Sequence, residues 1–334
     1  MSHMAVIGAG AWGTALARIL AANAEKVSLW TWQASHAIRM CETRENAEFL
    51  PGFALTENIE PTSDLEKALG GASLALIAVP SQVVRHVLTQ AVPWLQKTDC
   101  LVSATKGIEE DSLKLMSEVA SDVLGTEVAR RLVVLSGPSF AKEVALGMPT
   151  NVVVAGADSE IVSFVQSVFS SERMRAYTSD DVLGVQLGGA LKNVIAIAAG
   201  ACDGIGFGNN TRAALITRGI AEITRLAVRR GANPMTLAGL AGLGDLVLTC
   251  TGELSRNRTV GFELGRGKKL ADVLSSLGHV AEGVHTAKSA YNMSTILDVE
   301  LPITTQVYRV LFENKDPLQA VRDLVGRPLR RELD

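Results

Sequence analysis

Three glycines constrain this chain more than any other feature: Gly8, Gly10 and Gly13 stand in G-x-G-x-x-G spacing in "MAVIGAGAWGTALARIL" (4–20). They follow an apolar run and open a helical pattern. The first glycine permits a tight turn, the second lets a pyrophosphate approach the backbone, and the third lets helix and strand pack closely. The helix amino terminus then adds N–H groups and a partial positive charge. A chance glycine-rich turn would need neither the strand before it nor the helix after it, so the context favours dinucleotide binding.

Such a turn belongs on a parallel sheet, and the first half of the chain predicts one. "MAVI" (4–7), "KVSLW" (26–30), "SLALIAV" (73–79), "CLVSA" (100–104), "RLVVLS" (131–136) and "NVVVAG" (151–156) each read as a buried strand, with helical candidates such as Thr14–Ala22 and Ser81–Val92 between them. Strand and helix in alternation imply a Rossmann-like, doubly wound, mostly parallel sheet with helices on both faces. Near residue 180 the pattern changes. "TSDDVLGVQLGGALKNVIAIAAG" starts with a cap-like Ser179 and Asp180 and has helical length, and 209–230, 234–241, 256–266, 269–277, 283–298, 303–313 and 316–325 also read as helices. The expected organisation is an α/β dinucleotide-binding domain over 1–180 and an all-α substrate-binding domain over 181–334, joined by a shared long helix.

A formal net charge of −3 offers no general attraction to nucleic acid or to an anionic membrane, so anion binding must be local. Cys41, Cys100, Cys202 and Cys250 lie far apart, which indicates neither a disulfide framework nor a metal site and suits a reducing, cytoplasmic compartment. No apolar run is read as approaching the roughly 18 to 20 residues of a membrane span. Ser2 and His3 resemble the scar of an expression tag before a native start at Met4, and no function is assigned to them.

The dinucleotide fingerprint lacks its second part. An acidic residue about 20 positions on would bind the adenosine ribose of NAD, and an arginine would take the 2′-phosphate of NADP. Trp32 and Gln33 stand there instead, so coenzyme preference stays open; Trp32 either stacks on adenine or covers the sheet edge. Two polar turns fall at the carboxyl ends of later strands, where open α/β sheets bind ligands. One is "SATKGIE" with Lys106. The other is "LSGPSFAKE" with Gly137 and Ser139, which could equally be a turn whose Ser139 caps a helix.

In the second half, Lys192 lies inside the apolar stretch "GVQLGGALKNVIAIAAG", and Asp245 inside "LAGLGDLVLTC". A buried ammonium needs a reason, and Asp245 is its natural partner, although a helix-capping role is the default for such an aspartate. The Ser255-Arg256-Asn257 group suits a small phosphate, with a surface basic cluster as the alternative. Carbonyl reduction by a nicotinamide also needs a proton donor. His36, His86, His279 and His285 read as surface residues, which leaves the lysines. A desolvated Lys192 near a second lysine would titrate close to neutrality.

"GAGAWGTALA", "ATKGIE", "SGPSFAKEVA", "GVQLGGALKNVIAIAAG", "AGLGDLVLTCTGELSRNR" and "VAEGV" together resemble the NAD(P)-dependent glycerol-3-phosphate dehydrogenases, over about residues 4–325. The resemblance implies reversible reduction of dihydroxyacetone phosphate to sn-glycerol 3-phosphate by NADH or NADPH, feeding glycerophospholipid synthesis, in a homodimer with no metal. It implies that Lys192 is the proton donor and acceptor, with Lys106 and Asp245 at the reacting centre. It places Gly137, Ser139, Asn193 and Thr249 around the substrate, and Ser255, Arg256 and Asn257 on its phosphate. The cofactor is expected along Gly8, Gly10, Ala11, Trp12, Gly13, Trp32, Lys106, Ala141, Arg256, Val280 and Glu282. Many members carry serine at the position of Ala11 and arginine or histidine at that of Trp32. Two other readings stand beside it: a β-hydroxyacid dehydrogenase of the same two-domain plan, which gives no reason for "SRN" beside "GLGDL", and a non-catalytic dinucleotide sensor, which leaves Lys106, Lys192 and Asp245 without a task.

Overall fold

The computed structural model describes residues 2–278, 280–329, 331 and 332; His279 lies outside them. The first half forms one sheet from strands β1 (His3–Ile7), β2 (Lys26–Trp30), β3 (Ile59–Thr62), β4 (Leu74–Ile77), β5 (Cys100–Ser103), β6 (Leu132–Ser136), β7 (Thr150–Ala155) and β8 (Met174–Ser179). Their order is β3-β2-β1-β4-β5-β6-β7-β8, and every pairing is parallel except β6 with β7. The sheet is therefore Rossmann-like, with helices such as Ala11–Ala21 and Val84–Leu95 covering it.

Two strands were not foreseen, and both are edge strands. β3 is four residues long and contains Pro61, and β8 alternates buried and exposed positions at its start. An edge strand needs less apolar sequence than a central one, so neither leaves a continuous hydrophobic run. His3 belongs to β1, and its ring is hydrogen-bonded to Ser28 Oγ at 2.9 Å.

The second half is helical from Val182 onward. Its first helix, Val182–Ile205, is capped by Asp181, whose side chain accepts from Gly184 N at 2.8 Å; Ser179 instead accepts from Asp181 N. This helix corrects one expectation, since by length and composition alone it could cross a membrane. Its apolarity has another use here. Of its most hydrophobic window 83% is buried inside the protein, as expected of a core helix surrounded by others. The helix Arg256–Gly265 crosses it closely enough that a Cβ on Gly261 would stand 1.9 Å from Ile197 O. That contact brings the segment starting at Ser255 beside the middle of the core helix.

Candidate active site

The glycine-rich turn has the geometry its spacing implied. Gly8 has φ +118°, and a Cβ there would meet Ala78 O at 2.6 Å; a Cβ on Gly13 would meet Gly8 O at 1.9 Å. At Gly10 nothing lies within 4 Å of the corresponding point. Two glycines thus let protein pack on protein, while the middle one leaves its face open to a ligand, as a pyrophosphate cradle requires. Ala11 begins the helix and Gly10 caps it without a side-chain bond, leaving first-turn N–H groups available. Trp12 Nε1 is buried with no protein partner, an orphaned donor beside the same turn. These features fit a dinucleotide.

Behind the turn is a polar strut for which the sequence carried no local sign. Asn46 is fully buried and donates to Ala9 O at 2.8 Å and to Thr14 Oγ1 at 2.7 Å, while its Oδ1 meets His36 Nε2 at 3.0 Å. His36 also contacts Thr31 Oγ1 through Nδ1, at 3.2 Å. The expectation of a surface histidine fails because the ring bridges β2 to the turn. Trp32, by contrast, is 76% exposed, so its indole does not cover the sheet edge; the buried indole is that of Trp30.

The chemistry converges on Asp245. It is fully buried, and a π-helical turn, Leu240–Gly244, leads directly into it. Gly244 occupies the cap position of the helix Asp245–Thr251, so the aspartate is not a cap. Its Oδ2 accepts from Lys106 Nζ at 2.7 Å, and its Oδ1 accepts from Lys192 Nζ. Lys192 Nζ also donates to Thr249 Oγ1 at 2.8 Å, and Lys106 Nζ to Gly137 O at 3.1 Å. One carboxylate thus holds two ammonium groups, one from each half of the chain. Lys192 is 7% exposed, and burial pushes its ammonium down to about 8. Asp245 opposes that shift and Lys106 reinforces it. Cys250 is buried nearby, and burial drives its thiol up to about 12, which makes it a poor nucleophile.

Gly137 has φ +132°, and its carbonyl also accepts from Ser139 Oγ at 2.9 Å. Ser139 therefore braces the turn and does not cap the helix Ala141–Ala145, whose cap position is Phe140. Ala141 opens that helix at the carboxyl end of β6. On the other side of the seam, Asn257 Nδ2 donates to Asn193 Oδ1 at 2.9 Å, and its Oδ1 accepts from Gly283 N at 2.9 Å. Ser255 caps the helix Arg256–Gly265 by accepting from Arg258 N. Arg258 is held by Asp203 at 2.8 Å, which leaves the exposed Arg256 as the cation at this helix start; Arg256 Nη1 donates to Val280 O at 3.4 Å. Glu282 reaches across the seam to accept from Ser81 N at 3.0 Å and Ser81 Oγ at 2.5 Å, and burial holds its carboxyl above the usual range. The candidate residues named from the sequence fall in two regions: the glycine turn with the β2 end, and the contacts between the two halves around Asp245.

Comparison with known proteins gives one family along nearly the whole chain. The amino-terminal region described as NAD-dependent glycerol-3-phosphate dehydrogenase N-terminus matches residues 3–162, and the corresponding C-terminus matches residues 181–322. The glycerol-3-phosphate dehydrogenase (NAD(P)+) of Geobacter sulfurreducens is 54% identical over 330 residues, covering 99% of this chain and 98% of its own. That of Citrifermentans bemidjiense is 52% identical over 329 residues, 98% of each chain. The crystal structure of glycerol-3-phosphate dehydrogenase from Coxiella burnetii superposes with a TM-score of 0.93 at 39% identity, covering 98% of this chain and 99% of that one.

Proposed function

The chain belongs to the NAD-dependent glycerol-3-phosphate dehydrogenase family, and from that premise we propose that the seam around Asp245 is where its reaction takes place. The protein is an NAD(P)-dependent oxidoreductase acting on a CH–OH group, and it interconverts dihydroxyacetone phosphate and sn-glycerol 3-phosphate. The arrangement that carries the assignment of roles is the Lys106–Asp245–Lys192 cluster, which joins the two halves at one buried point.

When bound, the reduced nicotinamide supplies a hydride to the carbonyl carbon. Lys192 gives a proton from Nζ to the carbonyl oxygen as that oxygen becomes negative, and in the reverse direction takes it from the hydroxyl. Titration near 8 suits both directions at neutral pH. Asp245 and Thr249 aim the Lys192 ammonium, and Lys106, fixed between Asp245 and Gly137 O, adds positive charge beside the developing alkoxide. Arg256 and the first-turn N–H groups of the helix Arg256–Gly265 receive the substrate phosphate, with Ser255, Asn257 and Asn193 shaping that end. Gly8, Gly10, Ala11, Trp12, Gly13, Trp32, Ala141, Val280 and Glu282 form the cofactor side, Gly10 leaving room for the pyrophosphate. Residues 1–180 on this reading are the dinucleotide-binding domain, and 181–334 the substrate domain.

We further place the enzyme in the cytoplasm as a homodimer whose product enters glycerophospholipid synthesis; its four free cysteines support a reducing compartment. The direct test mixes the protein with NADH or NADPH and dihydroxyacetone phosphate and follows the absorbance of the reduced nicotinamide. Loss of absorbance is expected. No oxidation with either coenzyme would overturn the reading.

A further inference from the structure

The seam concerns the reacting end of the coenzyme, whereas the carboxyl end of β2 concerns its adenosine end. We propose that this face accepts an unphosphorylated adenosine ribose, with Trp32 as the adenine platform and Gln33 beside the ribose, so that the enzyme prefers NAD(H) to NADP(H). The proposal rests on the coenzyme reading above and adds a choice that reading leaves open.

A 2′-phosphate needs a cation, because a dianion taken partly out of water without a paired donor is strongly disfavoured. From Thr31 to Ile38 the chain has no lysine or arginine. The His36 ring is buried with both nitrogens engaged, by Thr31 Oγ1 and Asn46 Oδ1, and does not face a ligand. Because Asn46 in turn holds Ala9 O and Thr14 Oγ1, turning His36 outward would loosen the glycine-rich turn itself. Of the next two cations, one is in an exposed surface ion pair and the other is held by backbone carbonyls. Arg39 pairs with Glu48 at 3.0 Å, and Arg44 donates to the carbonyls of Leu55 at 3.4 Å, Ile59 at 3.0 Å and Thr56. The segment after β3, fixed to β2 by Trp30 Nε1 donating to Ser63 O at 3.1 Å, leads into the helix Leu65–Leu69, where the cap Asp64 and Glu66 stand against the single cation Lys67.

What this face does offer suits a neutral ribose. Gln33 occupies the cap position of the helix Ala34–Thr43 but makes no side-chain cap bond, so its amide is available to donate to and accept from hydroxyls. The 76% exposed indole of Trp32, next to it in the chain, supplies a flat apolar surface for a base. The free N–H groups of that helix start serve a hydroxyl or a phosphate alike and do not decide the choice.

The experiment is isothermal titration calorimetry of the full chain with NAD+ and with NADP+, without substrate. NAD+ is expected to bind at least about tenfold more tightly, the scale set by one missing charge-assisted contact. Gln33→Arg should strengthen NADP+ binding by about tenfold and weaken NAD+ binding, which loses the amide's contacts to the ribose hydroxyls. Trp32→Ala should weaken both coenzymes by a similar factor with no change in melting temperature, since an exposed indole contributes little packing. Equal affinities in the wild type, or tighter NADP+, would overturn the proposal while the dehydrogenase reading stands. Binding of neither nucleotide would overturn the dinucleotide reading and this proposal with it. A Gln33→Arg protein without gained NADP+ affinity would remove Gln33 from the ribose site, and unchanged affinities in Trp32→Ala would remove the indole from the adenine site.

Discussion

Replacing Asp245 by asparagine tests the proposed proton donor through its charge environment and leaves Lys192 in place. Burial is the largest influence holding the Lys192 ammonium at about 8; Lys106 lowers it further, while Asp245, by charge and hydrogen bond, and lastly Cys250 raise it. Asp245→Asn removes the larger of the two groups that raise it. Opposite unit charges about 4 Å apart at an effective dielectric constant of about 20 interact by about 4 kcal/mol, which is about 3 pH units. The asparagine carbonyl still accepts a hydrogen bond and offsets part of that, so a net fall of about 2 units is expected, to near pH 6. Reduction uses the protonated amine, so activity declines as pH rises through this value. At pH 7.5 the protonated share drops from about three-quarters in the wild type to about 3% in the variant, a loss of about 25-fold that recovers at pH 5.5. The assay is kcat/KM for dihydroxyacetone phosphate at saturating NADH across pH 5–9, with thermal melts at each pH to confirm folding. A variant whose alkaline limb stays near pH 8, or whose loss is the same at every pH, would refute the reasoning.

Three further outcomes are expected. Lys192→Ala should lower kcat by about 10²- to 10⁴-fold, the usual worth of a general acid, with NADH affinity almost unchanged by titration; a fall below tenfold would move the proton donor elsewhere. Arg256→Ala should raise KM for dihydroxyacetone phosphate by about 10- to 100-fold through loss of a charge-assisted contact, and an unchanged KM would remove Arg256 from the phosphate site. Glu222 is buried and accepts from the N–H groups of Ile303 and Thr304, and burial raises its carboxyl to about 7. Its folded value is above its unfolded one, so its contribution to stability is complete below about pH 4.5 and is lost as pH rises toward 7, by at most about 3 kcal/mol. Glu222→Gln should flatten that slope in melts from pH 4.5 to 7.5; an unaltered slope would contradict it.

Local signals and distant partnerships divide what could be read in advance. The glycine turn, the central strands and the helical second half were legible because each is encoded within a few turns of chain, by spacing, periodicity or an apolar run. The long motifs around Lys106, Lys192, Asp245 and Arg256 carried the family resemblance, so candidate reacting residues could be named before their geometry was known. The edge strands β3 and β8 escaped because short strands at a sheet edge lack that run. Capping was misplaced at Ser179 and Asp180 for a different reason: several neighbouring residues could cap, and backbone direction chose Asp181 among them.

The sequence alone therefore determined the kind of fold and the coenzyme class and named the candidate reactive groups, since these depend on residue types at short spacing. Only the tertiary structure decided how the groups act together. Asp245 meets Lys192 across 53 residues and Lys106 across 139, and Glu282 meets Ser81 across 201. It also turned an apolar 24-residue helix into a core element and committed His36 to Asn46. Burial and pairing are properties of the packed chain: a lysine titrates near neutrality when the fold removes its water and sets the charges around it.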